Sequence, residues 1–147
     1  MKVVLQRVSR ACVRIEGETV GKIGKGLLVL LGVAKEDSID DMRRLVEKFC
    51  NLRIFANQDG KFDKSLLDIQ GELLVVSQFT LFADCRKGRR PNFDAAAPPP
   101  KAKELYKQTV NYCRSKGIHT ESGRFAAMME IELVNDGPVT IELDSTK

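Results

Sequence analysis

The sequence predicts an α/β fold: one domain over residues 1–147, a layered, mostly antiparallel and barrel-like β-sheet with two amphipathic helices packed on it. Three observations predict it. Short apolar or alternating runs recur at the start, middle and end of the chain, as strands do. Only two segments, 38–51 and 99–117, carry apolar residues at helical spacing. No linker or internal repeat separates them, and a chain of 147 residues fits one domain, burying roughly 70% of its unfolded surface.

Residues 2–8 and 11–16 read as two strands, and Glu16-Gly17-Glu18 as the turn into a third, 19–23. Gly24-Lys25-Gly26 then punctuates before Leu27-Leu28-Val29-Leu30-Leu31, a central strand. Asp37 or Ser38 can cap the first helix, whose apolar stripe is Ile39, Met42, Leu45, Val46 and Phe49. Arg53-Ile54-Phe55 is a short strand ending in the turn Asn57-Gln58-Asp59-Gly60. Strand 72–79 follows, then a loop over 83–98. The second helix starts at Pro99-Pro100, where proline suits the first turn. It buries Ala102, Leu105, Tyr106, Val110 and Cys113 and closes at Gly117. The tail reads as a hairpin: Met129, Ile131 and Leu133 alternate with glutamates, Asn135-Asp136-Gly137-Pro138 turns, and Val139, Ile141 and Leu143 alternate back.

Composition narrows the function. Hydrophobic content of 43% and charged content of 30% are ordinary for a globular protein. No apolar stretch approaches the roughly 20 residues that span a bilayer, and the N-terminus is charged too early for a signal peptide. A cytoplasmic location is expected, with no membrane partner. The four cysteines (Cys12, Cys50, Cys85, Cys113) and the one histidine, His119, lack metal-ligand spacing, so neither a metal site nor a disulfide scaffold is expected. A net charge of +4 favours a polyanionic partner only weakly; the clustering of Arg86, Lys87, Arg89 and Arg90 around Gly88 says more.

Three segments could carry chemistry. Ser77-Gln78-Phe79-Thr80 interrupts the most apolar run of the chain, where an unpartnered buried polar group costs roughly 1–3 kcal/mol. In an extended strand Ser77 and Phe79 face one side, and Gln78 and Thr80 the other. Either the strand breaks there or backbone N–H groups form the site, as donors aimed at an oxyanion. A buried strand end with satisfied hydroxyls is the alternative. Asn135-Asp136-Gly137-Pro138-Val139-Thr140 is a turn whose proline removes a ladder donor. Arg86-Lys87-Gly88-Arg89-Arg90 suits phosphate binding, or is a solvated basic loop. The chain has no phosphate-binding P-loop, no G-x-G-x-x-G and no G-x-S-x-G elbow, and His119 has no serine or cysteine partner in a known pattern.

These segments together resemble the D-aminoacyl-tRNA deacylases. The resemblance runs from Val4-Leu5-Gln6-Arg7-Val8 through Gly26–Val33, Val76–Leu81, Gly88-Arg89-Arg90-Pro91 and Ser122-Gly123-Arg124-Phe125 to Asn135–Thr140. Two departures stand out: Ala126 where many members have glycine, and Phe62-Asp63 where Met-Asn is expected. The resemblance implies a homodimeric editing enzyme that needs no metal or cofactor. It cleaves the ester between a D-amino acid and tRNA, and clears glycine mischarged on alanine tRNA. Catalysis is expected at Ser77, Gln78, Phe79 and Thr80. The favoured reading has the tRNA 2′-hydroxyl assisting and backbone N–H groups around Phe79 and Thr80 stabilising the oxyanion. The competing one makes Thr80 a nucleophile, for which no base is visible in the sequence. Chiral selection falls to a cis Gly137–Pro138 motif reaching across subunits and oriented by Arg7. Phe125 and Met129 line the substrate pocket, and Arg86, Lys87, Arg89 and Arg90 meet the tRNA. A nucleic-acid binding module without catalysis and a generic ester hydrolase are the competing readings.

Overall fold

One long strand, β1 (Lys2–Ile15), opens the chain where the sequence predicts two. The cause is a slip in phase. Val3 and Leu5 are buried, then Val8, then Ala11 and Val13, while Ser9 and Arg10 are exposed. The register of β1 against its neighbour shifts on both sides of Val8. An apolar pattern that changes parity marks a bulge, which bends a strand without ending it. β2 (Glu18–Ile23) returns from the Glu16-Gly17 turn and pairs with the second half of β1, and β3 (Gly26–Gly32) pairs with the first half.

β6 (Glu72–Ser77) lies parallel to β3, and β7 (Thr120–Ser122) lies parallel to β6. The order is β2-β1-β3-β6-β7, so the sheet is mixed, with its antiparallel part around β1. The parallel pair arises because the chain leaves β3 through a helix and re-enters at the same end. β2 packs beside β6 and β7, which nearly closes the sheet into a barrel. β3 and β6 are buried on both faces. Leu27, Val29, Leu31, Leu73 and Val75 point to the helices, while Leu28, Leu74 and Val76 fill the barrel interior with Val8, Val13 and Ile23.

Helix α1 (Ile39–Asn51) begins at Ser38, whose hydroxyl accepts from the Asp41 N–H while the Asp41 carboxylate accepts from the Ser38 N–H, a reciprocal capping box. The hydrogen bonds from Ser38 hold the Asp41 carboxyl down at about 2. Asp37 instead accepts from the Met1 ammonium and the Ala34 N–H, tying the start of β1 to the turn before the helix. α1 buries Met42, Leu45, Val46, Phe49 and Cys50; Ile39 is left exposed. A side chain as buried as Phe49 is worth about 1.5–3 kcal/mol. Helix α2 (Pro99–Ser115) buries the predicted stripe, with Thr109 bonded back to the Leu105 carbonyl. Between α1 and β6 lies a small hairpin, β4 (Phe55–Ala56) and β5 (Phe62–Lys64), around the Asn57–Gly60 turn. The sequence places its first strand slightly early and does not show its second. β7 is also unforeseen, because three residues show no periodicity.

The predicted C-terminal hairpin does not form. The tail is one strand, β8 (Glu130–Asp144), antiparallel to β1 along almost its whole length. Val8 pairs with Asn135 and Gln6 with Thr140, so β8 advances five residues while β1 advances two. The extra residues, Asp136–Val139, bulge out of the ladder. Asp-Gly between alternating runs encodes a departure from the strand, and here both flanks find the same partner instead of each other. The computed structural model describes all 147 residues. None of its helices is long and apolar enough to cross a membrane.

Candidate active site

The strand predicted over 72–79 ends at Ser77. The Gln78 N–H still donates to the Leu31 carbonyl at 2.7 Å, after which Phe79–Phe82 forms one 3-10 turn. The first bond inside that turn runs from the Leu81 N–H to the Gln78 carbonyl. The N–H groups of Phe79 and Thr80 precede it, so they have no partner within the turn, and no side chain caps them. The turn folds across the end of β3 at Gly32. A Cβ there would lie 3.1 Å from the Gln78 oxygen and 3.1 Å from the Phe82 ring, so a side chain would push the turn away.

Of the alternatives left open by the sequence, the strand does break, and the break leaves the Phe79 and Thr80 N–H groups without a partner inside the turn. The Thr80 hydroxyl is bonded to the Gln78 side-chain amide, which donates to it. An amide N–H is no base, so the Gln78 amide cannot take a proton from Thr80. His119 sits on the surface with its Nε2 3.2 Å from Glu121 Oε1, in β7, and takes no part in this group.

The basic loop is drawn to this turn by an aromatic contact. Phe93 packs edge-on against Phe79, centroids 5.0 Å apart, and Phe79 itself is half exposed. Asp84 and Asn92 exchange both backbone hydrogen bonds and close the loop at its base. Arg86 is committed within it: its guanidinium forks onto Asp84, and the bonds from Arg86 hold that carboxyl down at about 2. The charge of Arg86 is thereby offset, whereas Lys87, Arg89 and Arg90 are exposed and form no salt bridge. The sequence places Phe93 at the end of the candidate segment Arg86–Phe93, but does not show its contact with Phe79.

Gly137 and Pro138 are exposed on the β8 bulge, joined by a cis peptide bond. Arg7 holds the bulge from beneath. It is 9% exposed, its Nε donates to the Asp136 carbonyl at 2.8 Å, and its Nη1 donates to the Ile54 carbonyl at 2.5 Å. At Gly137 the backbone has φ +134°, and a Cβ would stand 3.0 Å from Arg7 Nη2 and 2.9 Å from the Val139 side chain. Only glycine fits that conformation and that gap. No side-chain hydrogen bond, salt bridge or ring contact links this group to the Phe79–Phe82 turn within the chain.

Phe125 and Met129 border the end of β6. Phe125 lies against the Tyr106 ring, centroids 6.1 Å apart. Met129 lies over Gly123, near Val76. The buried Tyr106 hydroxyl, its ionisation suppressed by desolvation, shares its one proton between the carbonyls of Val75 and Gly123, at 2.9 and 3.2 Å. That pins the segment carrying Phe125 to the strand carrying Ser77. Ala126 has φ +62°, a left-handed conformation that glycine adopts at less cost than alanine.

Known proteins of similar sequence and fold assign the chain to a family. Residues 4–144 match a family model described as D-Tyr-tRNA(Tyr) deacylase. The chain is 58% identical over 147 residues to a D-aminoacyl-tRNA deacylase of Thermosipho africanus, covering all of this chain and 99% of the relative. It is 54% identical, with the same coverage, to one from Fervidobacterium nodosum. Among solved structures, a c-Myc DNA unwinding element binding protein superposes with a TM-score of 0.92 at 42% identity, over 98% of each chain. A probable eukaryotic D-amino acid tRNA deacylase shares the fold, with a TM-score of 0.84 at 16% identity. With a family match across nearly its full length and relatives more than half identical to it, this chain belongs to the D-aminoacyl-tRNA deacylases, a family of hydrolases.

Proposed function

We propose that this protein edits tRNA in the cytoplasm as a homodimer, hydrolysing the ester between a D-amino acid and the terminal adenosine. The observation that carries the mechanism is the break after Gln78. It leaves the Phe79 and Thr80 N–H groups free within their turn and gives Thr80 an amide for a partner. A carbonyl oxygen placed against those N–H groups would have its developing negative charge stabilised as water adds. With no base beside Thr80, activation of that water falls to the substrate, through the 2′-hydroxyl of the terminal ribose.

Selection between enantiomers comes from the exposed Gly137–Pro138 segment, entering the site of the partner subunit. Its backbone carbonyls would occupy the volume an L side chain needs. Rejection of that kind needs no recognition of the D side chain. Many D-amino acids would pass, and so would glycine, including glycine mischarged on alanine tRNA. Lys87, Arg89 and Arg90 would meet phosphates of the acceptor end.

A second reading, a nucleic-acid binder without catalysis, draws on those three unpaired cations. Incubation with D-tyrosyl-tRNA and L-tyrosyl-tRNA separates the two. The enzyme releases tyrosine from the D ester alone. A binder releases it from neither, and a generic esterase from both.

A further inference from the structure

Two residues of β5, Phe62 and Asp63, are both engaged. Arg53 donates to the Asp63 carbonyl at 2.6 Å through Nε and pairs with the Asp63 carboxylate through Nη2, fastening β5 in place. That fixes the neighbouring Phe62, whose ring would otherwise be an unexplained exposed aromatic at 58% exposure. The ring lies over the Arg7 guanidinium, 5.5 Å from Cζ to the centroid. Arg7 is therefore held by the Ile54 carbonyl, by the Asp136 carbonyl with its carboxylate 3.5 Å from Nε, and by the face of Phe62.

We propose that Phe62 is a positioning residue for chiral selection, covering the Arg7 guanidinium so that Arg7 holds Gly137–Pro138 in one place. The physical basis is twofold. The negative face of the ring attracts the cation. The ring also keeps water from competing for the N–H groups that bond Asp136 and Ile54, and hydrogen bonds are stronger away from water. The residue touches no reacting atom; it acts through Arg7. The inference rests on the reading of Gly137–Pro138 as the selecting segment.

The test uses the full-length protein and three variants: Phe62→Leu, Phe62→Tyr and Gly137→Ala. Two quantities are read: the ratio of D- to L-tyrosyl-tRNA hydrolysis, and the Arg7 side-chain Nε–H resonance, which a ring overhead shifts. Phe62→Leu is expected to lower the D/L ratio about fivefold and to move the Arg7 resonance, with Phe62→Tyr restoring both. An unchanged ratio in Phe62→Leu, beside a collapsed ratio in Gly137→Ala, overturns the role of Phe62 and leaves the selection reading standing. An unchanged ratio in Gly137→Ala overturns the selection reading and this inference with it. A loss in Phe62→Leu that Phe62→Tyr fails to restore also overturns it, since the ring is then not the cause.

Discussion

Thr80 shows how a single residue's role turns on its partner. A threonine at the break in an apolar strand invites assignment as a nucleophile. Its hydroxyl, however, accepts a hydrogen bond from Gln78 and has no base to surrender a proton to. Thr80→Ala is accordingly expected to keep activity within about tenfold, the scale of one lost neutral hydrogen bond. A tRNA ending in 2′-deoxyadenosine is expected to lose activity almost entirely. Single-turnover deacylation measures both, and near-complete loss in a correctly folded Thr80→Ala would sink the substrate-assisted mechanism. Ser77 and Gln78 are legible in the sequence because they are polar in an apolar run. Arg7 is legible only through resemblance, because nothing local in its strand shows that it reaches the Ile54 and Asp136 carbonyls.

The elements around the site are held by backbone detail. The segment after β7 turns through Ala126 in a left-handed conformation, which costs an alanine about 1–2 kcal/mol and glycine little. Ala126→Gly should therefore stabilise the protein by about 1 kcal/mol, even after the greater flexibility of glycine in the unfolded chain. For a domain of this size that is a rise of roughly 2–4 °C in melting temperature. A fall in melting temperature would show that the conformation is not strained. The elements most legible in the sequence are α1, α2, β3 and β6, whose periods extend over several residues of one type. Least legible are β5 and β7, too short to have a period, and the β1 bulge, where one slip of phase looks like a turn. The tail is misleading for a related reason: alternation shows which face a strand buries, and says nothing about its partner.

At the scale of the whole molecule, charge and exposure are set by what each group meets. The basic loop has four cations, one of which is offset by Asp84, leaving three to act outward. Replacing Arg89 and Arg90 with glutamine should weaken tRNA binding and reduce the salt slope by about 0.7–0.9 for each phosphate no longer neutralised. Binding measured across a salt series checks this, and an unchanged slope would remove the loop from the tRNA interface. The proposed function has a second copy bring its Gly137–Pro138 bulge to the Phe79–Phe82 turn, since no side-chain hydrogen bond, salt bridge or ring contact joins the two within one chain. Sedimentation of the free protein tests that assembly, since a monomer at working concentration would contradict it.

The sequence by itself determined which residues are apolar, with what period, and where that logic breaks. It therefore determined the fold class, both helices and the buried central strands, and it marked the segments proposed to carry the site. Only the tertiary structure decided that β8 pairs with β1 instead of with itself, that Arg86 is committed to Asp84, and that Phe62 lies by Arg7 and Phe93 against Phe79. The reason is physical: periodicity is a local property written along the chain, whereas strand partners, ion pairs and ring contacts depend on distances between residues far apart in it.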